Sequence, residues 1–125
     1  MYKSLLLLVV VLIQNCSNSN NLNKNSKGNF LAYYNTFYIS EKYYSQALDI
    51  IKSNQSSVVT AEADILLNNA IENALIIEQD FYNSKYLDDS YYILGMSSFY
   101  KNNITSSEYY FNRILSEHKQ SEYYN

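Results

Sequence analysis

The stretch DDSYYILGMSSFYKNNITSSEYYFNRILSEHKQS, residues 88–121, decides the fold. Asp88 and Asp89 sit in the first turn of a helix that runs to about Lys101, where acids suit the positive end of the dipole. Asn102-Asn103 then makes a turn. A second helix carries Ile104, Ser107, Phe111, Ile114 and Leu115 on one face, at helical spacing, and ends near Glu117. Gly95 lies inside the first helix, where glycine costs about 1 kcal/mol relative to alanine. Close packing accounts for it. Gly95 and Ser107 lack bulk, so the two helices can approach, while Tyr91, Leu94 and Phe111 fill the space around their crossing.

The same periodicity extends upstream. Ala63, Leu66, Leu67, Ala70, Ile71, Ala74, Ile77 and Phe81 follow one another in short helical steps, with Asp64, Asn68, Glu72 and Gln79 on the other face. This predicts one amphipathic helix from about Ser57 to Asp80, capped by Ser56 or Ser57, with Glu62 and Asp64 near its positive end. Asn83-Ser84 reads as a break and cap. Further back, Phe30–Ile39 and Tyr43–Lys52 predict either a helix pair or one bent helix. The chain also repeats itself: Ala70, Ala74, Ile77, Ser84 and Tyr86 return 37 residues later as Ser107, Phe111, Ile114, Ser121 and Tyr123. Tyr34, Tyr38, Tyr44, Ala47 and Ile51 look like a weaker third copy. A plain helical bundle would show apolar faces at this spacing too; Gly95 in register with Ser107 favours stacked helix pairs.

With those residues in place, Asp88–Ser121 resembles, without a gap, a tetratricopeptide repeat, whose period is 34 residues. Tyr91 takes the large aromatic place, Leu94-Gly95 the Leu-Gly pair, and Phe99 an aromatic place late in the first helix. Ser107 takes the small residue, Phe111 the next aromatic and Ile114 the closing apolar position. Lys119 stands where that repeat has proline, and Ser98 where it has an aromatic, with Phe99 displaced by one. The resemblance implies an all-α fold of antiparallel helix pairs, a short α-solenoid, with Tyr91, Leu94, Gly95, Phe99, Ser107, Phe111 and Ile114 as its packing residues. The repeat length and the segment Asn83–Asp89 are most similar to BamD-type outer-membrane assembly lipoproteins and their tetratricopeptide relatives.

The start of the chain fits that picture. One positive charge at Lys3 precedes the unbroken apolar run Leu5–Ile13. Nine apolar residues reach about 14 Å as a helix, roughly half the ~30 Å hydrocarbon core, which suits the apolar region of a signal peptide. The run stops just before Gln14-Asn15-Cys16-Ser17 and resembles bacterial lipoprotein signals, with Ile13 in the apolar place and Cys16 as the lipid acceptor. Gln14 and Asn15 depart from the small residues usual there; the other reading is an ordinary secretory signal or an uncleaved anchor in which Cys16 is incidental. The domain plan is then a signal peptide over 1–15, a disordered polar tether over 16–28 and a helical repeat domain over 29–125.

Composition narrows the function. The 125 residues include no proline, no tryptophan and two glycines, which disfavours turn-rich β folds. Net charge is −3, and loss of Lys3 with the leader makes it −4. Without a basic stripe, nucleic acid is not an expected partner. Cys16 is the sole cysteine and His118 the sole histidine, so no Cys/His metal set is expected. His118 reads as a surface residue at a helix end. Asp88 and Asp89 are adjacent and point to different sides of a helix, so they read as first-turn acids before a catalytic pair. Two glycines cannot build a phosphate-cradling loop, and no cofactor is expected.

The expectation is therefore binding and not catalysis: an envelope scaffold, attached to the membrane through lipid on Cys16, that holds a protein or peptide partner. Each of Tyr43-Tyr44, Tyr91-Tyr92, Tyr109-Tyr110 and Tyr123-Tyr124 should place one ring inward and leave its neighbour nearer the surface. Tyr34, Tyr38, Tyr92 and Tyr100 are the candidate binding face. The alternatives are a structural subunit whose helices are completed by its own copies, or a piece of a longer repeat array with an ordinary secretory signal. Ser121–Asn125 reads like the start of another helix.

Overall fold

A computed structural model describes residues 27–54 and 58–124. The leader, Cys16 and the tether as far as residue 26 lie outside the described residues, as do Ser56 and Ser57. All regular structure among the described residues is helical: α1 (Tyr38–Ser53), α2 (Ala61–Asp80), α3 (Leu87–Tyr100) and α4 (Ile104–Glu117), with a 3₁₀ turn at Glu122–Tyr124. Each helix packs on the next in the chain, and α1 makes a smaller contact with α3.

Of the two arrangements expected upstream, a continuous helix is the one found. The chain is helical from 27 to 53, including Lys27 and Gly28 of the expected tether. The five residues directly before α1 widen into a π segment at Tyr33–Phe37, with the Tyr38 N–H reaching back to the Tyr33 carbonyl. The Thr36 hydroxyl donates to the Ala32 carbonyl at 2.9 Å and supplies a partner where the regular ladder is disturbed.

The expected start of α2 is corrected. The helix begins at Ala61, and the Thr60 side chain, on an extended backbone, accepts from the Ala63 N–H at 3.2 Å. Thr60 is the capping oxygen nearest the run of good helix formers, whereas Val58-Val59 before it are stiff, β-branched and poor in helix propensity. Glu62 and Asp64 lie in the first turn as expected.

Ser84 does not cap α3 either. Its hydroxyl accepts from the Tyr86 N–H at 3.2 Å, one residue before the helix begins, and so shapes the approach turn. The α3–α4 junction is tighter. Asn102 takes a left-handed φ of 58° and gives its N–H to Phe99, while Asn103 gives its N–H to Ser98. This crossed pair closes the end of α3. The Asn103 side chain then accepts from the Ser106 N–H at 3.2 Å and caps α4. Two adjacent asparagines end one helix and start the next.

The core runs along the seams between helices. Leu67, Ile77, Leu94 and Ile114 are fully buried beside Tyr91, each of the four aliphatic side chains worth about 1.5–3 kcal/mol of transfer. α3 is the central helix, buried on several sides through Leu87, Ser90, Tyr91, Ile93, Leu94, Ser97 and Ser98. Across the α1–α2 crossing the buried Ser40 hydroxyl donates to the Ala70 carbonyl at 2.8 Å. On α4 the expected inner face is only partly inward: Ser107 and Ile114 are buried, but Ile104 and Leu115 are 46% and 47% exposed.

Candidate functional site

The seam expected around Gly95 is present, with a different partner. A β-carbon on Gly95 would stand 2.9 Å from two ring atoms of Phe111, closer than side chains tolerate. Ser107, expected to share the close approach, is buried but is not among the atoms nearest Gly95. Tyr91, Leu94 and Ile114 are buried around the seam, and Phe111 is half-buried. Phe99 needs correction. It is 55% exposed, while Ser98 beside it is buried. One residue along a helix turns the side chain by about 100°, so the displaced aromatic swings out of the seam.

The four tyrosines of the candidate face do not form one open surface. Tyr34 and Tyr38 are 59% and 50% exposed. Tyr92 is half-buried: the Tyr123 ring stacks on it at 4.1 Å, and it meets Tyr44 and Phe111 edge-on. Tyr100 is half-buried against the core. Burial pushes the Tyr44 phenol above its ordinary range, and the neighbouring Tyr92 and Tyr100 phenols push it further. Tyr92 and Tyr100 therefore belong to packing. In each adjacent pair one ring is the more enclosed: Tyr44 and Tyr91 are buried, while Tyr109 and Tyr124 are exposed beside half-buried Tyr110 and Tyr123.

What Tyr34 does line is an open groove of about 540 Å³ between the helix before α1 and the α2–α3 turn, together with Asn29, Phe30, Tyr33, Lys85 and Tyr86. Its floor is a stack: Tyr86 lies against Phe37 at 4.8 Å and Tyr33 at 5.2 Å. Phe30 packs on Tyr34 at 4.6 Å. The Asn29 side-chain oxygen accepts from the Lys85 N–H at 3.1 Å, and the Lys85 ammonium sits 4.9 Å from the Tyr86 ring centre. The groove thus offers apolar ring faces, phenol hydroxyls and one cation.

A polar knot on the α3–α4 side was not singled out from sequence. The Arg113 guanidinium lies 4.8 Å above the Tyr91 ring and donates to Tyr109 at 2.9 Å, Glu117 at 3.0 Å and Glu78 of α2 at 3.3 Å. It ties α4 to α2 across α3. The Glu117 hydrogen bond raises the already high pKa of Arg113, and burial lifts the Tyr91 phenol to about 12. His118, expected at the surface, is half-buried; its ring meets Tyr91 at 5.6 Å and its Nε2 is enclosed. It caps α4 by its backbone, which draws the ring in beside the knot. Among the described residues no three His, Cys, Asp or Glu side chains are grouped to hold a metal.

The recurrence seen in sequence is also a recurrence of bonds. After α2, Ser84 donates its N–H to Phe81, the Ser84 hydroxyl accepts from Tyr86, and Leu87 donates to the Ser84 carbonyl. After α4, Ser121 donates to His118, the Ser121 hydroxyl accepts from Tyr123, and Tyr124 donates to the Ser121 carbonyl. Each turn then lays a tyrosine on a helix of the pair it follows, Tyr86 on Phe37 and Tyr123 on Tyr92.

No protein-family model, curated protein or solved structure matches this chain.

Proposed function

We propose that this protein is an envelope-anchored helical-repeat scaffold of tetratricopeptide type that holds a protein or peptide partner, in the manner expected of outer-membrane assembly lipoproteins. The observation that carries the repeat reading is the 37-residue recurrence of the turn after α2 in the turn after α4, hydrogen bond for hydrogen bond. The Gly95–Phe111 contact supports it, because a glycine kept inside a helix at a cost of about 1 kcal/mol coincides with the closest side-chain approach there. The partner surface in this reading is the Tyr34 groove, extended by exposed Tyr38. Ring faces and a single lysine suit an extended segment that carries apolar and acidic side chains.

Membrane attachment falls to Cys16 and rests on the sequence alone. No helix of the described residues is long and apolar enough to cross a membrane. Two measurements test the proposal. Metabolic labelling with a palmitate analogue should mark the wild type and not Cys16→Ser; equal labelling of both would sink the lipid anchor. Co-purification from detergent-solubilised envelope, with Cys16 intact, should retain a partner that the Tyr34→Ala/Tyr38→Ala double variant loses at unchanged thermal stability. Retention by both proteins would remove the groove from the proposal.

A further inference from the structure

Tyrosines dominate the oxidisable side chains of this chain. It holds 15 of them, against no tryptophan, two methionines (Met1 and Met96) and the single Cys16. One tyrosine pair stands apart. Tyr92 of α3 and Tyr123 of the last turn stack at 4.1 Å with their planes 13° apart, the closest ring pair among the described residues. The Tyr123 hydroxyl donates at 3.1 Å to the carboxylate of Asp89, which precedes Tyr92 by one turn of α3. A phenol, a ring partner and a proton acceptor are thus held together. The other close pairs lack this combination. Tyr33–Tyr34 and Tyr109–Tyr110, both 5.0 Å apart, meet edge-on, and Tyr33–Tyr86 is tilted at 5.2 Å. The Tyr109 hydroxyl faces the Arg113 guanidinium, which accepts no proton. In the equivalent turn Tyr86 stacks on Phe37, which has no hydroxyl to oxidise.

We propose that Tyr92 and Tyr123 are an oxidative modification site: attacked by peroxyl radicals, they join through a carbon–carbon bond into a dityrosine that ties the turn after α4 to α3. One peroxyl radical takes an electron from the Tyr123 phenol as the hydroxyl proton passes to Asp89. Asp89 then releases that proton to the reduced peroxide. A second radical takes an electron and a proton from Tyr92. The two phenoxyls pair their odd electrons in one bond between ring carbons ortho to oxygen. The two ortho hydrogens leave as protons and restore the two phenol hydroxyls. In balance, two peroxyl radicals become two hydroperoxides and the chain loses two hydrogens. Burial raises the Asp89 carboxyl above its usual range, so its carboxylate is a stronger base than an exposed one. Tyr44 meets Tyr92 edge-on at 6.5 Å, too far to compete for the bond. Tyr123 lies in a 3₁₀ turn of 3 residues, so its ring can slide from the stack to the edge-joined product without disturbing a long helix. With Cys16 as its sole cysteine the chain has no intrachain disulfide, and this bond would be its covalent tie. The site does not depend on the scaffold reading.

The test uses the full chain in detergent, with Cys16→Ser so that no thiol competes for the oxidant. Ruthenium(III) tris-bipyridine, generated by light and persulfate, takes electrons but no protons and so leaves the proton to the protein. Mass spectrometry of the monomer band should find peptides linked 92–123 at least tenfold above any other tyrosine pair. Tyr123→Phe, which keeps a stacking ring, should abolish the product. Asp89→Asn should slow its formation at least tenfold at unchanged circular dichroism, since a positioned base supplies about 10²–10⁴-fold. Added acetate, as an external base, should then restore part of the rate, which it would not do for a pair that had merely come unstacked. Links spread evenly over the tyrosines, an Asp89→Asn rate equal to that of the parent, or no response to acetate would overturn the proposal.

Discussion

The turn after α2 and the turn after α4 share their hydrogen bonds and their docked tyrosine, yet the helices they follow live in different surroundings. α2 is enclosed between α1 and α3, while α4 leaves Ile104 and Leu115 about half exposed. Local turn chemistry therefore recurs without the burial recurring, because a serine hydroxyl and two backbone bonds need only their own few residues, whereas burial needs a neighbouring helix. The repeat is a property of the chain; the core is a property of what stands beside it.

The sharpest way to break that comparison is to truncate the same register position in both pairs. Leu67→Ala should lower unfolding free energy by about 2–5 kcal/mol, the usual range for a buried leucine. Ile104→Ala, 37 residues on, should cost no more than about 0.5 kcal/mol in dilute protein, as for an exposed site. Urea unfolding of the two variants measures both. Similar losses would mean that α4 is as enclosed as α2.

A second contrast lies at the helix crossings. In the first pair the small residues Ala70 and Ala74 lie on the second helix, and Ser40 reaches the Ala70 carbonyl. In the second pair Ser107 keeps the small place of Ala70, but the register partner of Ala74 is the bulky Phe111, and the small residue that meets it is Gly95, on the first helix. Gly95→Ala gains about 1 kcal/mol of helix propensity but drives a methyl into the Phe111 ring, and overpacking of this kind costs about 1–3 kcal/mol. A net loss near 1 kcal/mol is expected, recovered in Gly95→Ala/Phe111→Leu. A thermal midpoint that rises in the single variant would show that the ring moves aside freely.

These contrasts also mark how far the sequence could be read. The hairpin of α3 and α4 was legible to within a residue because Asn102-Asn103 both ends a helix and starts one, and a mid-helix glycine demands a close neighbour. The start of α2 was not, since Ser56, Ser57 and Thr60 can all cap, and only the neighbouring geometry selects Thr60. The π segment left no mark, because the one extra residue it absorbs shifts helical spacing by no more than ordinary scatter. Tyr92 looked like an exposed ring since nothing local predicts that Tyr123, far along the chain, stacks on it. Arg113 gives only its i,i+4 partner Glu117 in sequence, because Glu78 and Tyr91 come from two other helices. The 37-residue recurrence was the one long-range signal available, and it placed Tyr86 and Tyr123 correctly as equivalents.

The smallest expected effect separates the two docked tyrosines. Tyr86 rests on two rings beside Lys85, whereas the Tyr123 hydroxyl also donates to the Asp89 carboxylate at 3.1 Å. Burial raises the Asp89 carboxyl above its usual range; the Tyr123 bond opposes this, and Asp88, Glu122 and Glu41 add to the rise. A carboxyl whose pKa is higher folded than unfolded favours the fold when protonated. Its contribution is fully present below the unfolded value near 3.9 and is lost as pH rises through the higher folded value. Asp89→Asn keeps an oxygen for Tyr123 and removes the charge, so it should raise the thermal midpoint at pH 7 and leave it unchanged near pH 3. Tyr86→Phe, which touches no such carboxylate contact, should show no comparable pH dependence. If Asp89→Asn instead lowers the midpoint at pH 7, the charged Tyr123–Asp89 bond outweighs the desolvation it has to overcome, and the second turn is held by charge where the first is held by rings alone.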